Sequence, residues 1–186
     1  MLFRSERGFA VDLDGYKAAF EEHQNKSKAG SEGKFACGLA DHKEATTALH
    51  TATHLLHAAL KKVCSPDVNQ KGSNITEERL RFDFNLPQPM TAEQIKAVED
   101  LVNEVIKADI PVVMKEITLE EAKAEGFTGL FESKYGERVK TYTIGDFSKE
   151  ICGGPHVEST GKLGHFKIQK EQSSGSGIRR IKAILE

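Results

Sequence analysis

Apolar residues recur at helical spacing between positions 44 and 63, where Leu49, Ala52, Leu56, Leu60 and Val63 share one stripe. This predicts a helix over 44–63 whose stripe faces the core. At about 100° per residue, His50, His54 and His57 fall on the neighbouring stripe, at the edge of the buried face. Leu80-Arg-Phe-Asp-Phe84 alternates apolar with charged positions, as a half-buried strand does, with Leu80, Phe82 and Phe84 inward. A second helix follows it. Thr91 and Gln94 have capping-box spacing, Met90 and Ile95 the spacing of a hydrophobic staple, and Ile95, Val98, Val102, Val105 and Ile106 form the stripe. Asp109-Ile-Pro ends that helix. Further strands are expected over 111–117, 139–144, 164–169 and 178–185, with a short helix over 119–125.

Near the start, residues 12–30 read as a helix capped by Asp12 or Asp14, with Tyr16, Ala19 and Phe20 as a short stripe and Gly30 as its stop. The Lys, Ser, Gly and Glu content of 27–34 reads as a linker. Residues 1–34 are therefore expected to be a helical appendage and 35–186 the main domain. Helices and strands intermix without regular βαβ alternation, which predicts an α+β fold with a mainly antiparallel sheet packed with helices.

Composition narrows the function classes. The chain has 186 residues and a formal net charge of -2, so no global positive field would hold a polyanion, and such a partner must meet a local patch. Residues 91–126 carry nine acidic and four basic side chains, whereas 162–182 carry six Lys or Arg and only Glu171 as acid. Lys167, Lys170, Arg179, Arg180 and Lys182 are the candidate phosphate contacts, against the plainer reading of a solvated strand face. No apolar run approaches the ~20 residues of a membrane span. Three cysteines without an apolar leader fit a reducing cytoplasm better than a disulfide framework, and Cys37 and Cys64 read as buried free thiols.

Two spaced pairs carry the chemistry: His50-Thr-Ala-Thr-His54 on the predicted helix, and Cys152-Gly-Gly-Pro-His156 in a glycine-rich turn. Histidines four apart project from one helical face, and the turn can fold cysteine and histidine back toward one ion. One thiolate and three imidazoles suit zinc at a helix/turn junction, with iron or nickel as alternatives, and offer little to magnesium or calcium. Four protein ligands ordinarily mean a structural site, so a non-catalytic module with structural zinc stands as an alternative. His57 reads as a helix-face residue, with support of the metal ligands as the alternative, and Asn69-Gln-Lys-Gly-Ser73 as a glycine turn.

The string from His50 to Leu60 resembles the editing domain of alanyl-tRNA synthetase, within the threonyl/alanyl second additional domain family that includes freestanding editing proteins. So do Asn69 to Ser73, Leu80 to Phe84, Ile144-Gly-Asp-Phe-Ser148, Cys152-Gly-Gly and Gly177-Ile-Arg-Arg-Ile181, in the family's order. The resemblance implies hydrolysis of mischarged seryl- or glycyl-tRNA(Ala) by an aminoacyl-tRNA deacylase. It implies one zinc per chain, held by His50, His54, Cys152 and His156, and a catalytic-site role for Gln70. The partners implied are the tRNA(Ala) acceptor end and the rest of a synthetase, whose ATP binding belongs to the full-length ligase only. Pro155 stands where alanyl enzymes usually have threonine, so editing of seryl-tRNA(Thr) is a further alternative. The start of the chain resembles synthetase interior, which favours an excised piece over a freestanding editor.

Overall fold

A computed structural model describes residues 15, 17–22, 38–129, 136–175 and 177–186. The chain divides into two compact units, Met1–Phe35 and Ala36–Glu186. In the first, Gly15 and residues 17–22 are helical, whereas the expected capping residues, Tyr16, Gly30 and the linker lie outside the described residues. Cys37 also lies outside them.

The second unit is built around helix α1, Glu44–Val63, whose bounds match the apolar stripe. Its burial exceeds the expectation of a one-faced helix: His50, His54 and His57 are buried together with Leu49, Ala52, Leu56 and Leu60. A helix enclosed on several sides has no free edge, so the histidine stripe is interior. The first sheet, ordered β1-β2-β8-β7 and antiparallel throughout, encloses the helix together with helix α2, Ala92–Lys107, while residues 148–157 cover its histidines. Strand β1 is Gln70–Ile75, β2 Leu80–Asn85, β7 Phe166–Gly175 and β8 Ile178–Leu185. Phe82 lies opposite Ile181 and Leu80 opposite Ala183, so these apolar residues share the face that packs on α1.

Helix α2, Ala92–Lys107, begins with the expected capping box between Thr91 and Gln94. Met90 and Ile95 both join the main core. A second sheet, ordered β3-β5-β6-β4, contains Val112–Thr118, Arg138–Ile144, Ser148–Ile151 and Thr128–Gly129, the last paired in parallel with β6. Helix α3, Leu119–Ala124, packs its Ala122 with Val139 and Ile151 in a smaller core.

Two expectations need correction. Gln70–Ile75 is a strand rather than a glycine turn, with a bulge around Lys71 that interrupts its alternation. Strand β7 runs on to Gly175, well past residue 169, because two irregularities in its pairing with β8 break the period-2 pattern. Between β5 and β6 the chain turns through Gly145 at a φ of 48°, a conformation costly for other residues. That turn leads into β6, which packs against α1. No helix among the described residues is long and apolar enough to cross a membrane.

Candidate metal centre

Helix α1 presents His50 and His54 one turn apart, their rings edge to face at 5.2 Å. The segment after β6 brings the other two ligands. Cys152 N–H donates to Lys140 O at 3.0 Å, which holds the sulfur at the strand end, 3.4 Å from His50 Nε2. His156 stacks on His50 with ring centroids 4.3 Å apart and meets His54 at 4.5 Å. One ligating atom from each of the four residues lies within 4.8 Å of all the others. The helix/turn junction expected from the two spacings is therefore formed.

Hydrogen bonds fix which ring nitrogens face inward. His50 Nδ1–H donates to Pro155 O at 2.9 Å, leaving the Nε2 lone pair toward Cys152. His156 Nδ1–H donates to Thr51 Oγ1 at 3.1 Å, and the Thr51 hydroxyl donates in turn to Thr47 O at 3.2 Å. Val157 N–H also donates to Thr51 Oγ1, at 3.2 Å. The turn from 152 to 157 is thus stitched to α1, and the site is assembled by the fold.

The donor set fits zinc. His156 Nε2 is buried without a hydrogen-bond partner among the described residues, which ordinarily costs about 1–3 kcal/mol. An ion would satisfy it. A tetrahedral centre with bonds of ~2.0–2.3 Å sets its ligands roughly 3.3–3.8 Å apart, a separation the Cys152–His50 pair already has. Burial pushes His50 down to about 4, His54 to about 3 and His156 to about 2, so all three rings are neutral near pH 7, the form that binds metal. His50 and His54 are buried while Cys152 and His156 are half-buried, which places the opening of the site on the turn side.

In the metal-free chain these shifts give a sign to the pH dependence. On unfolding the histidines return to about 6.5, so below that pH the unfolded state binds more protons. Stability is full above about pH 6.5 and is lost progressively as pH falls toward the folded-state values. Urea midpoints should therefore drop between pH 6.5 and 5, above the carboxylate range. A flat midpoint across that interval would contradict a neutral buried cluster.

Three further residues belong to the surroundings of the site. Tyr142 on β5 places its ring 4.2 Å from that of His156. His57, expected to be a helix-face residue, is instead buried, with Nδ1 2.9 Å from Glu150 Oε1 and Nε2 3.3 Å from Val68 O. The other oxygen of Glu150 lies 3.5 Å from His54 Nδ1. Glu150 is two residues before Cys152 on a strand, and that period-2 relation was the available signal that both point the same way.

The remaining sequence candidates lie elsewhere. Gln70 opens β1, half-buried and opposite Phe84, on the sheet face that α1 covers. The five cations divide between two sheet faces. Arg179 is cross-strand from Ser173 on the α1 side and ion-paired with Glu171, their side chains 13 % and 6 % exposed. Arg180 faces outward in a two-pronged pair with Asp83 at 2.6 and 2.8 Å. Lys170 and Lys182 lie directly opposite each other, with Arg81 opposite Lys182 on the next strand. Lys167 is also on β7, 3.4 Å from the exposed Glu186.

Comparison with known proteins bears on this arrangement. Residues 139–182, which include Cys152 and His156, match the family described as threonyl and alanyl tRNA synthetase second additional domain. The chain is 62 % identical over 182 residues to an alanine–tRNA ligase of Treponema denticola and 57 % identical over 181 to that of Treponema pallidum. Against the ligase of Petrotoga mobilis it is 46 % identical over 202 aligned residues. These alignments take in 97–98 % of this chain. It spans only about 30 % of the length of the Treponema relatives and 23 % of the Petrotoga one.

Proposed function

The chain belongs to the threonyl and alanyl tRNA synthetase second additional domain family, and on that premise we propose that residues 35–186 are an editing domain that hydrolyses the ester of mischarged seryl- or glycyl-tRNA(Ala). Residues 1–34 are then an appendage within a longer alanine–tRNA ligase, working in the cytoplasm. The observation that carries the reading is the convergence of His50, His54, Cys152 and His156.

The need for such a domain follows from the size of the amino acids. A pocket for alanine rejects glycine or serine poorly, because one methylene or hydroxyl is worth only about 1–3 kcal/mol. A second, hydrolytic pocket supplies the missing discrimination. Zinc held by the four residues supplies a Lewis acid beside the ester. The protein's own groups do the rest: Thr51 and the Pro155 carbonyl hold the imidazoles in the ligating tautomer, and Tyr142 walls the site beside His156. Gln70, an amide that does not titrate, orients water or substrate.

The tRNA acceptor end enters single-stranded from the side of Cys152 and His156, with the stem on β7 and β8. Among the five cations the phosphate contacts fall to Lys167, Lys170 and Lys182, since Arg179 and Arg180 are held by largely enclosed carboxylates, whereas the pair of Lys167 with Glu186 is exposed. The row Arg81, Lys182, Lys170 runs across three adjacent strands on one face. Like charges directly opposite destabilise a sheet, a cost that an RNA backbone offsets.

The deciding experiment follows deacylation of seryl- and alanyl-tRNA(Ala) by the purified chain, with zinc content determined on the same sample. Faster loss of serine, suppressed by chelation, is the expected result. Binding without turnover at stoichiometric zinc would favour a tRNA-binding module with structural metal, and turnover of seryl-tRNA(Thr) instead would move the substrate to threonine.

A further inference from the structure

Glu150, Glu171 and Asp83 have acidic side chains only 8 %, 6 % and 12 % exposed. Glu171 and Asp83 have guanidinium partners in Arg179 and Arg180, whereas Glu150 lies between two imidazoles. A buried carboxylate is costly unless its oxygens are engaged and its charge is balanced. Oε1 of Glu150 is engaged by His57 Nδ1 at 2.9 Å, and Oε2 lies 3.5 Å from His54 Nδ1.

The charge balance points to the metal centre. A divalent ion with one thiolate and three neutral imidazoles carries a net charge of about +1 at a largely buried place, and one adjacent carboxylate cancels it. Glu150 also sits on the strand that delivers Cys152, so one element couples a ligand with the support of another. Resting on the reading of the cluster as a metal site, we propose that Glu150 is a positioning residue: it orients His54 through Nδ1–H so that Nε2 meets the ion, and it supplies the counter-charge. His57 anchors the second carboxylate oxygen, so this histidine serves the site without ligating.

The test uses the full chain without RNA. Zinc affinity is measured by competition with a chromophoric chelator, and the coordination geometry by the ligand-field spectrum of the Co²⁺ form. Glu150→Gln, which keeps the shape and loses the charge, should weaken zinc binding roughly 10- to 100-fold and alter the Co²⁺ band. Glu150→Asp, which keeps the charge and shortens the reach, should fall between it and the unaltered chain and covers the case in which the glutamine variant fails to fold. A merely structural glutamate would lower the thermal midpoints of metal-free and zinc-loaded protein equally and leave affinity unchanged. Unchanged affinity in a folded variant, beside an unaltered chain that binds zinc, overturns the proposal alone. Failure of the unaltered chain to bind zinc overturns it together with the metal reading, and neither outcome depends on hydrolysis.

Discussion

Cys152→Ala should lower deacylation of seryl-tRNA(Ala) by at least about 10³-fold, the scale of several kcal/mol that a metal contributes to such a transition state. Its far-UV circular dichroism should stay near that of the unaltered chain. The sulfur is half-buried at the end of β6, and its removal leaves every backbone bond of the turn in place, including Cys152 N–H to Lys140 O. The main core does not involve it: Phe82, Phe84, Phe166, Leu55, Leu56 and Ile181 are fully buried among themselves and their neighbours. A core of this kind has no need of a zinc staple, unlike a small finger that is unfolded without metal. Cys152 is therefore a cleaner probe than His54, whose loss would also open a hole in the buried side of α1 and remove a partner of Glu150. Loss of helical signal in Cys152→Ala would mark the metal as structural and the domain as a binding module. Retained hydrolysis at full rate would show that the reaction does not need the thiolate.

The candidate ligands were legible because each pair is local, four positions apart on a helix and four apart in a glycine-rich turn. Their meeting across a hundred residues could be argued only from the chemistry of the donors. The supports of the site were hidden for the opposite reason. His57 reads in the sequence as a helix-face residue at the edge of the buried stripe because its partner Glu150 is 93 positions away. Strand β6 escaped notice because Ser148 and Glu150 are polar residues turned inward, which inverts the usual alternation. Strand β1 was masked by its bulge and its polar content, while α1, α2 with its capping box, and β8 followed directly from unbroken periods. Charge clustering at 162–182 was visible in the sequence, but only strand register separates cations free to meet phosphate from those already paired.

That separation gives a second large effect. Arg180→Ala should destabilise the chain by roughly 2–4 kcal/mol, because it strips Asp83 of its two-pronged partner in a place where the carboxylate side chain is 12 % exposed. The value sits below the ~3–5 kcal/mol of a fully enclosed pair for two reasons. Arg180 itself is 26 % exposed, so solvent screens the interaction in part. Arg81 also stands close, its Nε 3.7 Å from Asp83 and without a hydrogen bond among the described residues, and it can take up the orphaned carboxylate. The double variant Arg81→Ala, Arg180→Ala should therefore cost more than the sum of the single changes, and a double-mutant cycle in urea measures the difference. Lys170→Ala with Lys182→Ala removes two charges from the same face with no carboxylate left behind, so its stability should move by less than about 1 kcal/mol. If the face holds RNA, that lysine pair weakens binding and lowers the salt slope by about two, near 0.9 for each phosphate contact. Loss of binding in Arg180→Ala alone, alongside a lowered urea midpoint, would report a loosened sheet; loss in the lysine pair at an unchanged midpoint would report the contact itself.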